Sequence, residues 1–197
     1  MTRRHRAFVL ASVLALGLVA AREAVAGPAS DQMRSRIDRV VTILEDPILK
    51  VRPQERRVAL QGAATDIFDF PEITRRSLGR HWQTATPAER DELVQLFTVL
   101  LERSYLGRIE QYSGERISIV GETLDGELAT VRTRLVSKGG TETPVDYRLH
   151  RAGDRWMAYD VNVEGVSLVA NYRAQFNMIL QTSSAQVLVQ RLRTKQE

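Results

Sequence analysis

The stretch YDVNVEGVSLVANYRAQF, Tyr159–Phe176, decides the fold because one regular pattern changes into another within it. Its first residues alternate between apolar and polar types, which is typical of a β-strand. After a turn at Glu164-Gly165, the apolar residues recur at helical spacing: Val166, Val169, Tyr172 and Phe176. The stretch therefore predicts a strand that turns and continues as a helix.

Strand-like alternation also fills the region before this stretch, from Gly114 onward. Glycine-containing turns at Asp125-Gly126, Gly139-Gly140 and Gly153-Asp154 divide the region into segments. Strands joined by such short turns pair antiparallel, as a meander. Four strands are predicted: Arg116–Leu124, Glu127–Ser137, Thr141–Arg151 and Arg155–Val163.

Helical periodicity dominates the chain before Gly114. Thr86, Pro87 and Glu89 form the capping-box pattern that predicts the start of a long helix reaching about Gln111. Earlier helices are predicted over Asp31–Asp46, from Pro53 to about Phe68, and after Phe70-Pro71, and a last one is capped by Ser183 or Ser184. Helices that flank an antiparallel meander indicate an α+β domain with the helices on one sheet face.

The third predicted strand separates an apolar face from a charged one. Val145, Tyr147 and Leu149 alternate with Asp146, Arg148 and His150, so the two sets point to opposite sides. The same partition predicts that Met157, Tyr159, Val161 and Val163 face the helices while Asp160 and Asn162 face outward. Trp156 has the wrong parity for this pattern and indicates a bulge or a sheet edge.

Catalytic and metal-binding patterns are weak in this sequence. The predicted inner face offers only Tyr147 and Tyr159 as titratable groups, whereas acid–base catalysis needs an enclosed acid or base. The chain has three histidines without metal-ligand spacing and no cysteine, which excludes thiol catalysis. Ser167 lacks the closing glycine of a nucleophile elbow and is interpreted as a helix N-terminal hydroxyl. No metal or cofactor is expected.

The N-terminus has the pattern of a secretory signal peptide over residues 1–26. Arginines precede an apolar run from Ala7 to Ala21, and Ala24-Val25-Ala26 has the small residues of a cleavage site. The whole chain carries 28 Lys and Arg against 24 Asp and Glu; residues 1–26 hold four Arg and one Glu, so 24 and 23 remain. A single domain over residues 27–197, exported and nearly neutral, is therefore expected. This balance gives nucleic-acid binding no electrostatic support.

Three segments resemble the MlaC family, also called the toluene-tolerance auxiliary proteins. They are FDFPEITRRSLGRHW at 68–82, TPAERDELVQLFTVLLERSY at 86–105 and RWMAYDVNVEGVSLVANYRAQF at 155–176. The resemblance implies a curved NTF2-like sheet with helices enclosing an apolar cavity. It also implies a periplasmic shuttle that carries a diacyl phospholipid between an inner-membrane ABC transporter complex with an MCE-domain protein and an outer-membrane lipoprotein complex.

The cavity wall is expected to come from inward apolar side chains of the strands and helices. Hopanoid or another lipid remains an alternative cargo, and an NTF2-like enzyme or an interaction domain with a solid core remains an alternative class. The expected lipid-binding residues are Phe97, Leu100, Leu101, Tyr105, Val131, Tyr147, Leu149, Tyr159, Val161, Val166, Val169, Tyr172 and Phe176.

Overall fold

The computed structural model describes residues 27–195, so the predicted signal peptide lies outside the described residues. Helices precede and follow a single sheet, which confirms the α+β class. The helices are α1 (Pro28–Glu45), α2 (Pro47–Lys50), α3 (Pro53–Ile67), α4 (Phe70–Leu78), α5 (His81–Thr84), α6 (Pro87–Glu110), α7 (Leu168–Leu180) and α8 (Ala185–Thr194). The strands are β1 (Arg116–Asp125), β2 (Leu128–Val136), β3 (Glu142–Ala152), β4 (Arg155–Val163) and β5 (Val166–Ser167).

The sheet is an antiparallel meander in the order β1-β2-β3-β4-β5. It has five strands where the sequence predicts four, because the two residues of β5 pair back onto the end of β4. Glu164 and Gly165, between β4 and β5, both have positive φ, at 51° and 86°. This tight turn brings the chain directly from the sheet into α7.

Local sequence signals explain where several helices begin. Thr86 caps α6, and its capping box with Glu89 is complete, as predicted. Asp69 caps α4 by accepting the Glu72 backbone N–H at 2.9 Å. Proline occupies an early position in α1, α2, α3, α4 and α6, where its missing N–H is not required.

A bulge in β4 changes which side chains face the helices. The register between β3 and β4 shifts so that Arg148 opposes Asp160 while Leu149 opposes Ala158, which leaves Tyr159 as the extra residue. Trp156 and Ala158 are consequently buried. The prediction that one parity faces inward along the whole strand is therefore wrong, and the parity of Trp156 was the signal of the bulge.

Buried apolar side chains form two large clusters rather than one continuous core. The sheet cluster joins α1 and α3 to the inner sheet face through Ala29, Met33, Ile37, Ile67, Ala129, Val131, Leu149, Trp156 and Ala158. The helical cluster joins α4, α6, α7 and α8 through Ile73, Leu78, Leu93, Phe97, Leu101, Val169, Phe176, Leu188, Val189 and Leu192. A smaller third cluster contains Leu44, Leu60 and Leu106. Within residues 27–195 there is no helix with the length and apolar character needed to cross a bilayer.

Candidate functional site

The expected wall residues are distributed over both large clusters. Val131 and Leu149 belong to the sheet cluster, with Tyr147 half-buried against it. Tyr159 and Val161 are half-buried, whereas Tyr105 and Val166 are exposed, by 38% and 61% of their surface. The helical cluster contains Phe97, Leu101, Val169 and Phe176, with Leu100 and Tyr172 half-buried against it.

Three aromatic rings pack together in the helical cluster. Phe97 of α6 lies edge-to-face against two rings of α7, with centroid separations of 4.8 Å to Tyr172 and 5.0 Å to Phe176. The spacing of Tyr172 and Phe176, four residues apart, places both rings on the same side of α7. The trio joins α7 to α6. Its edge-to-face contacts stabilise this packing beyond the burial of apolar surface.

An open cleft of about 830 Å³ lies between α6, α7 and α8. Leu100, Tyr172 and Phe176 line it, and α8 adds Val187, Leu188 and Leu192. Its border is polar and partly cationic, with Gln175, Gln186, Gln190, Arg191 and Lys195. Its volume falls within the range of about 300–1,000 Å³ that is usual for small-molecule sites. The sequence analysis did not include α8 in the wall, although the apolar spacing of Val187, Leu188 and Leu192 was a usable signal.

Tyr147 is half-buried on the inner sheet face, against the sheet cluster. Burial raises the pKa of the Tyr147 phenol to about 12, yet the side chain keeps part of its surface accessible. Its hydroxyl has no hydrogen-bond partner among residues 27–195. Val131 and Val161 oppose Tyr147 directly on the two neighbouring strands.

Asp160 holds the strand-to-helix junction together. It lies opposite Arg148 on the charged sheet face, as predicted, but its side chain is only 3% exposed. Its Oδ1 accepts the Val169 backbone N–H at 3.0 Å, and its Oδ2 accepts the Ser167 hydroxyl at 2.7 Å. Arg148 supplies a cation 3.5 Å from Oδ2. Asp160 is buried because the N-terminus of α7 folds over it and provides these donors.

The Ser167 hydroxyl has a structural task at this junction, as its N-terminal position predicted. It accepts the Ala170 backbone N–H at 3.0 Å while it donates to Asp160. The histidines among residues 27–195 are His81 and His150. His150 is hydrogen-bonded to Asp69 at 2.9 Å and not to a serine. Ser167 is therefore an N-cap residue of α7.

Tyr159 and Arg173 connect the junction to α4. The Arg76 guanidinium lies 3.7 Å above the centre of the Tyr159 ring, a cation–π geometry. Arg173 of α7 donates from Nε to the Arg76 carbonyl at 2.8 Å. Arg173 thus links α7 to α4, and Tyr159 has its ring beneath an arginine of α4.

No group of three or more His, Cys, Asp or Glu side chains within residues 27–195 is arranged to hold a metal ion. The architecture is that of an α+β binding domain: a curved antiparallel sheet, a helical layer and apolar surfaces left partly open between and beside them. The family model described as "MlaC protein" matches residues 34–194, and the chain belongs to this family.

Similar proteins share this assignment. The intermembrane phospholipid transport system binding protein MlaC of Haemophilus influenzae is 22% identical over 149 residues, which cover 73% of this chain and 70% of that protein. The toluene tolerance protein ttg2D of Pseudomonas putida is 26% identical over 98 residues, which cover 49% of this chain and 46% of that protein. A phospholipid-binding protein from Ralstonia solanacearum, solved in complex with a phospholipid, is 25% identical with a TM-score of 0.77, covering 85% of this chain and 96% of that one.

Proposed function

We propose that this protein is a periplasmic carrier that binds a phospholipid and moves it between membranes without chemically changing it. The MlaC family assignment supports this proposal, as do relatives whose names specify phospholipid transport. The similar Ralstonia solanacearum structure holds a phospholipid, and nearly all of that chain is matched. The observation that carries the proposal is the open apolar cleft against the aromatic trio.

The cleft suits acyl chains energetically. One sixteen-carbon chain has about 15 methylenes, and burying each is worth about 0.8 kcal/mol, so an uncovered chain in water costs about 12 kcal/mol. Apolar side chains that remain half-buried in the free protein are covered when such a chain binds. Leu100 and Tyr172 provide this half-buried surface in the helical layer.

The sheet provides a second candidate surface for the lipid. Tyr147 is half-buried, and its cross-strand neighbours Val131 and Val161 form an apolar row with it on the same sheet face. We assign lipid contacts to this row as well as to the cleft. The remaining expected wall residues, including Leu101 and Val169, support the lining side chains from behind as members of the helical cluster.

The protein acts as a carrier rather than an enzyme. The titratable side chains near the junction already have partners: Asp160 with the start of α7, and His150 with Asp69. Neither Asp160 nor His150 lines the cleft, so neither is placed to act as an acid or base inside it. The lining of the cleft contains no Asp, Glu or His among the described residues.

Export and partners complete the proposal. The pattern over residues 1–26 is that of a signal peptide, which would deliver the chain to the periplasm. There the carrier exchanges phospholipid with an inner-membrane ABC transporter complex that contains an MCE-domain protein, and with an outer-membrane lipoprotein complex. These partners follow from the family resemblance.

Native mass spectrometry of protein purified from the periplasm without detergent tests the proposal. We expect a mass that includes one diacyl lipid per chain, and organic extraction will identify its class. A protein that is free of lipid, and stays so after incubation with phospholipid vesicles, would contradict the carrier function. A bound hopanoid would keep the carrier and change the cargo.

Two matched variants locate the binding surface. Met178 of α7 lines the cleft and Val58 of α3 lies outside it, and both side chains are 67% exposed. Neither Met178→Glu nor Val58→Glu should disturb the core, because exposed positions tolerate charge. We expect Met178→Glu to lower lipid occupancy several-fold and Val58→Glu to leave it unchanged. Equal occupancy in the two variants would show that the cleft does not bind the lipid.

A further inference from the structure

The start of α1 contains a carboxylate that lacks one of its partners. Glu122 of β1 accepts the Ser30 backbone N–H on Oε2 at 2.7 Å. Its other oxygen, Oε1, is buried and has no hydrogen-bond partner within residues 27–195. The Ser30 hydroxyl, on a residue that is 1% exposed, is likewise without a partner in this described part of the chain. Buried polar atoms without partners are costly, so the site requires an additional donor.

Gly27 lies directly against this carboxylate. A Cβ atom placed on Gly27 would lie 2.8 Å from Glu122 Oε2 and still closer to Oε1, so no other residue type fits without movement. Within one residue the nitrogen and Cβ are only about 2.5 Å apart, which places the Gly27 nitrogen within about 5 Å of Oε1. A small rotation of the chain end suffices to bring this nitrogen into hydrogen-bond range.

Gly27 is also the residue that follows the small-residue pattern Ala24-Val25-Ala26. Signal peptidase cleavage after such a pattern would make Gly27 the first residue of the mature protein. Its nitrogen would change from a neutral amide with one N–H into an ammonium with three donors and a positive charge.

We propose that processing creates a new ion pair, in which the α-ammonium of Gly27 binds the orphaned Oε1 of Glu122. This inference rests on the export step of the proposed function. A free ammonium at a helix N-terminus is normally unfavourable, because it adds positive charge to the positive end of the helix dipole. The carboxylate of Glu122 offsets both the charge of the ammonium and the positive end of the helix dipole. The precursor lacks the pair, and the mature chain gains its stabilisation when the signal peptide is removed.

A thermodynamic cycle on defined N-termini tests the pair. Chain 27–197 is prepared with a free Gly27 and with Gly27 enzymatically acetylated, which removes only the terminal charge. Each form is made with Glu122 and with Glu122→Gln, after lipid removal. We expect acetylation to lower the melting temperature by about 2–8 °C when Glu122 is present. In the Glu122→Gln chain acetylation should not lower it, because it then only removes a positive charge from the positive end of the helix dipole. Glu127→Gln, an exposed change in the β1–β2 turn, should keep the full acetylation effect.

Two results would overturn the ion pair. One is an acetylation effect of equal size with Glu122 and with Gln at position 122. The other is a mass of the exported protein that places its first residue elsewhere than Gly27. The melting comparison uses purified protein without lipid, so its outcome is independent of lipid binding. A mass that still includes residues 1–26 would instead contradict the export step itself.

Discussion

Two neighbouring rows of the same sheet face are packed differently. Ala129, Leu149 and Ala158 oppose one another across β2, β3 and β4, and each is at most 3% exposed. The next row has Val131, Tyr147 and Val161, of which only Val131 is fully buried. We call them the closed row and the open row.

The difference follows from the covering helix rather than from the strands. Both rows consist of apolar residues in the same alternating pattern. The first half of α1 adds Met33 and Ile37 to the buried sheet cluster, whereas Val40 and Val41 in its second half stay only partly buried. One sheet face thus contains both a filled core and a half-buried apolar surface.

Truncation in the closed row should have the largest effect. Leu149 is fully buried at 0% exposure, so Leu149→Ala leaves a cavity that neighbouring side chains cannot fill. We expect the free energy of unfolding to fall by about 2–5 kcal/mol, measured by urea denaturation. A loss below about 1 kcal/mol would show that this row is not tightly packed.

Removal of the Asp160 charge should have the next largest effect. Asp160→Asn keeps the size of the side chain but replaces one acceptor oxygen and loses the attraction to Arg148 and to α7. We expect a loss of about 1–3 kcal/mol in the free energy of unfolding. Asp146→Asn on β3 is the control and should change it by less than about 0.5 kcal/mol. Equal effects would contradict the capping role of Asp160.

Truncation in the open row should affect stability less and lipid binding more. Val161 is half-buried beside Tyr147, so Val161→Ala removes contacts that are incomplete in the free protein. We expect a loss of about 0.5–1.5 kcal/mol in stability. Lipid occupancy in native mass spectrometry should fall in Val161→Ala more than in a closed-row variant of equal stability. The reverse order would contradict the distinction between the rows.

Loss of the Tyr147 hydroxyl should have the smallest effect at neutral pH. The hydroxyl has no partner among the described residues, so Tyr147→Phe should change the free energy of unfolding by less than about 0.5 kcal/mol. The pKa of Tyr147, raised by burial to about 12, predicts a difference at high pH. The native state holds this proton more tightly than the unfolded chain does, so its stabilisation is complete below about pH 10 and is lost as the pH rises to 12.

The high-pH difference can be measured by unfolding the two chains side by side. Between pH 10 and pH 12 the wild-type chain should lose up to about 3 kcal/mol more than Tyr147→Phe. The variant retains the other tyrosines, lysines and arginines, so their titration cancels in the comparison. Parallel stability curves for the two chains would show that Tyr147 is not enclosed by the protein.

Much of this architecture was predictable from the sequence because the signals are local. The capping box at Thr86 and Glu89 specified the start of α6, and the glycine turns specified the meander. Alternation in β3 correctly assigned Leu149 to the inner face. These features depend on residues that are neighbours in the chain.

The features that the sequence left open, such as the position of the bulge, or did not indicate depend on residues far apart in the chain. The bulge at Tyr159 arises from pairing with β3, and the burial of Asp160 arises from the return of α7 over it. The cleft requires α8 to lie beside α6, which no local pattern specifies. Alternation placed Asp160 on the face of its cross-strand partner Arg148, but it could not show that α7 covers the side chain.

A photoactivatable phospholipid tests the central claim most directly, because it reports where the acyl chains lie. The lipid carries a diazirine near the end of one acyl chain. It is loaded into the mature protein and activated by light. The modified peptides are then identified by mass spectrometry. We predict adducts on the open row around Tyr147 and on the cleft around Leu100 and Tyr172. Adducts confined to residues outside both surfaces, such as those around Val58, would contradict the account.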